Sequence, residues 1–227
     1  MVLAFFKGSS DDGNFDHIVT SAVAMLADAR HSYNLATLAL LTDADPAAVA
    51  DDIRDTDQRI NLAEQELRSE LVVHVSVHGT ADIGSVLGFT LLLKKIERIG
   101  DQAKNILDLA ENGVTLSGRD DIEELLTERQ FLSELFAEAG ALLSDPDPSS
   151  EAINAFSDRA TAVMDQHQAT IDACMTSELP GREVVPLAIY VRYLRRIAAN
   201  LGGVVRSGSE PLPLVDYLED GAVDTED

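Results

Sequence analysis

The sequence predicts an all-α protein of six helices in two successive groups of three. Apolar residues recur at three- and four-residue steps through six long segments. An order of helix, long helix, long helix runs twice along the chain. Only residues 72–77 hint at a strand, and their β-branched side chains lie inside a longer helical pattern, so helix is expected there too.

The first helix is expected over 16–41, with Ile18, Ala22, Met25, Ala29, Tyr33, Ala36 and Leu40 on one face, after a flexible polar lead-in over 9–14. Asp45 can cap the second helix and Pro46 suits its first turn. That helix runs over 46–78, with Val49, Ile53, Ile60, Leu67 and Leu71 as its apolar face. The third spans 81–112, with Gly113 just past its end. Residues 114–118 join the two groups. Helices follow over 121–143, 151–178 and 182–206, separated by an Asp- and Pro-rich break at 145–148 and by Pro180-Gly181. The division is therefore a first unit at 15–113, a second at 119–207, and a loosely ordered tail at 208–227 with seven acidic residues. Residues 93–106 can be laid over 191–204, which places Arg98-Ile99 on Arg196-Ile197 at the third helix of each group.

Composition narrows function. The chain has 227 residues, 45% apolar and 25% charged, enough for a buried core and unlike a disordered chain. Its formal charge of −23 repels nucleic-acid phosphates and anionic lipid. The acidity serves a high-salt habitat and an ordinary acidic cytosolic protein equally well. A single cysteine, Cys174, allows no intrachain disulfide and reads as a small core residue. No apolar run approaches the roughly 18 residues of a bilayer span. Met1 to Gly8 has no basic leader, so a cytoplasmic location is expected, with Phe5 and Phe6 packed on the body.

Chemistry concentrates on the second and third helices. Glu97, Asp101 and Asn105 stand at i, i+4 and i+8, and Asp57, Asn61 and Glu64 at i, i+4 and i+7. Each set lines one stripe of its helix. Antiparallel packing would let the stripes face each other, four carboxylates and two amides together. Iron, manganese, zinc, magnesium and calcium all suit such oxygen donors. Solvated acids paired with Lys94, Arg98 and Lys104 are the competing reading of the same spacing. His74 and His78, also four apart, are expected in capping or surface roles, and His17, His31 and His167 carry no assignment. No Glu has a His three residues on, which argues against a carboxylate-bridged di-iron enzyme. No nucleophile triad, phosphate-cradling loop or dinucleotide fingerprint is present, so the chain is expected not to be an enzyme.

The stretch Glu97-Arg-Ile-Gly-Asp-Gln-Ala-Lys-Asn-Ile106 resembles the signature of the PhoU family, and Asp57-Gln-Arg-Ile-Asn-Leu-Ala-Glu64 is similar to that family's second-helix motif, with Asn61 where the family usually has Asp. The resemblance implies a PhoU-like fold of two tandem three-helix bundles. It implies metal sites, iron or zinc foremost, carried here by Glu97, Asp101, Asp57 and Glu64 with Asn61 and Asn105 beside them. In the second unit, Arg195, Ala199 and Gly203 replace Glu97, Asp101 and Asn105, so one metal site is expected in the first bundle and none in the second. The implied role is regulation of phosphate uptake: an adapter between phosphate ABC transporter subunits and a phosphate sensor kinase, repressing the starvation response when phosphate is plentiful. A homodimer is allowed, and membrane contact would come only through partners. Two alternatives are a partner of a sodium–phosphate cotransporter and a helical interaction protein without metal.

Overall fold

The computed structural model describes residues 12–80 and 83–207. They form six helices: α1 Asp12–Leu41, α2 Ala47–His78, α3 Ile83–Glu111, α4 Ile122–Ser144, α5 Ser150–Thr176 and α6 Gly181–Ser207. No strand occurs among the described residues, and 72–77 lie in α2. The 32 residues of α2 extend roughly 48 Å at 1.5 Å per residue. No helix among the described residues is long and apolar enough to cross a membrane. The expected packing of Phe5 and Phe6 and the acidic tail lie outside the described residues.

Short polar residues and glycines set the helix ends. Asp45 Oδ1 accepts from Ala47 N at 3.0 Å and turns the chain into α2. Ser149 Oγ accepts from Ala152 N at 3.1 Å and caps α5. Gly79 and Gly113 follow α2 and α3 at φ 80°, where a Cβ would be strained. One boundary departs from the sequence expectation. Residues 12–14, read as part of a flexible lead-in, belong to α1. A glycine such as Gly13 weakens a helix by only about 1 kcal/mol, and it lies here at the first turn. The first helix is thus 30 residues long, matching the 29 of α3, and α4 is the shortest at 23.

α1, α2 and α3 pack on one another, and α6 packs on α5 and α4 to form the second unit. The two units meet along α3 with α6 and along α1 with α4. Their apolar faces merge into one hydrophobic cluster that takes buried residues from all six helices. Polar contacts cross the same boundary. Tyr33 Oη donates to Arg129 O at 3.1 Å, while the Arg129 guanidinium donates to Thr37 Oγ1 and Asn34 O, each at 2.9 Å. The Tyr33 ring stacks on Phe136 at 5.3 Å between centroids. Burial raises the Tyr33 pKa well above the ordinary phenol value, so its hydroxyl stays protonated and able to donate. The joining segment is anchored too, since the buried Leu116 donates its N–H to Leu40 O at 2.9 Å.

Gly100 sets how closely α2 approaches α3. A Cβ built there would lie 3.1 Å from Ile60 Cδ1, tighter than ordinary carbon contact. Gly100→Leu is expected to force the helices apart and destabilise the protein by about 1–3 kcal/mol in urea unfolding. Ile60→Ala, destabilising alone, should recover part of that loss in the double variant. Additive effects of the two substitutions would show that this contact does not set the helix spacing.

Candidate site on the acidic face of the first unit

The antiparallel α2–α3 pair, in register through Ile60 and Gly100, puts Asp57 opposite Lys104. Lys104 Nζ lies 2.9 Å from Asp57 Oδ2 and 3.5 Å from Asp101 Oδ1, so one ammonium joins an acid from each stripe. Asn61 Nδ2 donates to the same Asp57 oxygen at 3.4 Å. Further along α2, the buried Glu64 accepts from Arg68 Nη1 at 3.1 Å. On α3, Glu97 is largely buried and has Lys94 Nζ 2.7 Å from its Oε2. Asn105, half-buried, stands one turn beyond Asp101.

Opposing effects act on Lys104. Burial disfavours its charge, but hydrogen bonds to and attraction by Asp57 and Asp101 outweigh it and raise the pKa above the ordinary lysine value. The ammonium therefore stays charged throughout the physiological range.

Of the six residues expected to hold metal, the structure gathers Asp57, Asn61 and Asp101 around Lys104. Glu64 and Glu97 each keep a cation of their own helix, Arg68 and Lys94. As they stand, these residues do not fit a metal ion. A hard cation needs several oxygens converging on one point. Among the described residues no three His, Cys, Asp or Glu side chains converge in that way, and the point shared by Asp57 and Asp101 is taken by an ammonium.

The second unit differs in kind. Arg195 is half-buried at the place of Glu97, and Ala199 and Gly203 follow at the next two turns. Gly203 leaves room for Lys95 of α3: a Cβ there would come within 2.5 Å of Lys95 Cδ. Asp165 and Asp172 are exposed on α5, and Gln168 Nε2 donates to Asp172 at 2.8 Å.

Two histidines correct or extend the sequence reading. His74 is buried rather than on the surface, because it continues the apolar face of Leu67 and Leu71; its ring stacks on His78 at 4.5 Å. His167, left unassigned, is fully buried with Nε2 2.6 Å from Glu128 Oε1. Its position four residues after Val163 and four before Ile171 was the signal for burial. Cys174 is half-buried against the core, and burial raises its thiol pKa, as befits packing rather than nucleophilic chemistry.

Residues 22–110 match the family model of the PhoU domain. Among curated proteins none matches the chain in sequence. Solved structures that share its fold include two PhoU proteins. PhoU from Pseudomonas aeruginosa has a TM-score of 0.72 at 20% identity, covering 87% of this chain and 96% of that one. The phosphate transport system regulatory protein PhoU from Streptococcus pneumoniae has a TM-score of 0.70 at 15% identity, covering 91% of this chain and 95% of that one.

A double-mutant cycle checks the role of Lys104. Lys104→Met is expected to cost about 1–2 kcal/mol, between the values for exposed and buried ion pairs. Coupling to Asp57→Asn should exceed coupling to Asp101→Asn, following the shorter distance. Zero coupling to both would mean that the ammonium does not hold the helices together.

Proposed function

We propose, for a chain whose residues 22–110 carry a PhoU domain, that it is an accessory regulator of phosphate transport. It acts by binding other proteins rather than by catalysis. The observation that carries this reading is the PhoU fold along almost the whole chain, in two units, with the family's motifs on facing helices. In finer detail, the chain would link a phosphate ABC transporter to a sensor kinase from the cytoplasmic side and restrain the starvation response when phosphate is plentiful.

The surface supports a binding role. On a chain of net charge −23, exposed apolar side chains gather where α2 turns into α3: Val72, Val73, Val77, Ile83 and Leu87. This end of the hairpin can bury apolar area against a helix of a transporter subunit. The acidic face needs no metal in this reading, because Lys104, Lys94 and Arg68 already neutralise its carboxylates. The half-buried, high-pKa Cys174 is consistent with a protein that performs no covalent chemistry.

The tagged full-length chain, recovered from cell membranes at high and low phosphate, tests the proposal. Phosphate transporter subunits and a sensor kinase should be retained at high phosphate, and Val73→Glu with Leu87→Glu should reduce that retention without unfolding the protein. Deleting the gene should switch on phosphate-starvation genes in phosphate-rich medium. Retention of a sodium–phosphate cotransporter alone would replace the ABC transporter as partner. An unaltered starvation response with no transporter retained would overturn the role.

A further inference from the structure

The seam between the two units contains a cavity of about 330 Å³ in which arginines dominate: Arg98 comes from α3, and Arg192, Arg195 and Arg196 come from α6. Positions 192, 195, 196 and 199 share one face of α6, and Ala199 leaves space at the end of that face. The chain has 40 acidic residues, and Arg54, Arg59, Arg68, Arg119 and Arg159 all reach a carboxylate. No ion pair involves any of the four cavity arginines among the described residues. Four permanently charged guanidiniums that line one cleft, with no carboxylate of the described residues in salt-bridge reach, form a site for a multiply charged anion.

Two buried atoms narrow the choice of anion. Arg195 Nε is buried and has no acceptor. Asn200, also lining the cavity and only 5% exposed, donates its Nδ2 to Arg196 O at 2.8 Å. That bond fixes the amide orientation and leaves the buried Oδ1 with no donor. The site thus lacks acceptors for its guanidiniums and one donor for an amide oxygen. Sulfate and carboxylates offer acceptors only. A phosphomonoester that has lost both protons is in the same position. Inorganic phosphate near neutral pH carries oxygens for the arginine forks and at least one P–OH to donate.

We propose that this cavity binds inorganic phosphate, with Arg98, Arg192, Arg195 and Arg196 as charge partners and Asn200 Oδ1 accepting the phosphate hydroxyl. The volume lies at the small end for ligand cavities and suits an anion of that size with some of its water. Two of its lining residues, Arg195 and Ala199, stand at the positions that Glu97 and Asp101 hold in the first unit. The assignment rests on these side chains alone. A chain that retains no transporter but binds phosphate here keeps it, and one that retains a transporter but binds no phosphate loses it.

Equilibrium dialysis of the full-length protein with labelled inorganic phosphate, alongside sulfate and adenosine monophosphate, tests the site. Saturable binding of one phosphate per chain is expected, with sulfate and the nucleotide weaker by about tenfold or more. Arg195→Gln should weaken phosphate by about tenfold or more. Arg98→Gln, on the exposed rim of the opposite helix, should act in the same direction without endangering the fold. Asn200→Leu should lower phosphate to the level of sulfate and leave sulfate unchanged. Absence of saturable phosphate binding at millimolar concentration, equal affinity for sulfate, or indifference to both arginine substitutions in a folded protein would overturn the assignment.

Discussion

The contact between Ile60 and Gly100 governs much of this molecule. A glycine on α3 lets α2 come within van der Waals reach of its backbone, and that approach fixes the antiparallel register of two helices of about thirty residues. Once the register is fixed, the polar positions of both helices fall into place. Asp57 meets Lys104, Asn61 turns back to Asp57, and Asp101 shares the same ammonium. A shift of one residue along α3 would rotate its stripe by about 100° and separate these groups.

Charge is distributed unevenly between the two halves, and the difference follows from a few positions. In the first unit, every carboxylate of the facing stripes has a lysine, arginine or amide partner close by. Largely buried carboxylates without such partners would be costly, so these pairs hold the helix faces together and remove a penalty at the same time. In the second unit the equivalent of Glu97 is Arg195, and the small residues Ala199 and Gly203 follow it. Lys95 from α3 crosses over Gly203, and Arg98 of α3 joins the α6 arginines in a cleft. The same three-helix plan thus carries an internally neutralised acidic face in one copy and a basic cleft in the other. The units share a single core through α3 with α6 and α1 with α4, so a ligand or partner that moves α6 acts directly on α3.

Most of the fold was legible in the sequence because it is written locally. Three- and four-residue periodicity marked the helices, and Gly79, Gly113, Asp45 and the Pro180-Gly181 pair marked their ends. The start of α1 was not, because a glycine normally read as a break sits where a helix tolerates it. The facing stripes were legible once α2 and α3 were taken as antiparallel. What the spacing left open was which cation lies between them: Lys104 is 47 residues from Asp57, and its reach depends on helix spacing that periodicity does not report. The arginine cleft was legible only in part, since Arg192, Arg195 and Arg196 stand at helical spacing in the sequence. Arg98 joins the arginines of α6 only because the two units share a core, and shape complementarity between distant helices leaves no local pattern. His167 lay on an apolar helix face in plain view, but its partner Glu128 sits on a different helix.

The claim at the centre of this account is that the cation joining α2 to α3 belongs to the chain itself. Crystals of the full-length protein grown with iron and zinc, with anomalous diffraction recorded at both metal edges, test it most directly. The account predicts Lys104 Nζ within hydrogen-bonding reach of Asp57 and Asp101, with no anomalous peak between them. A peak ligated by Asp57, Asp101 or Glu97, with the lysine turned out to solvent, would contradict it.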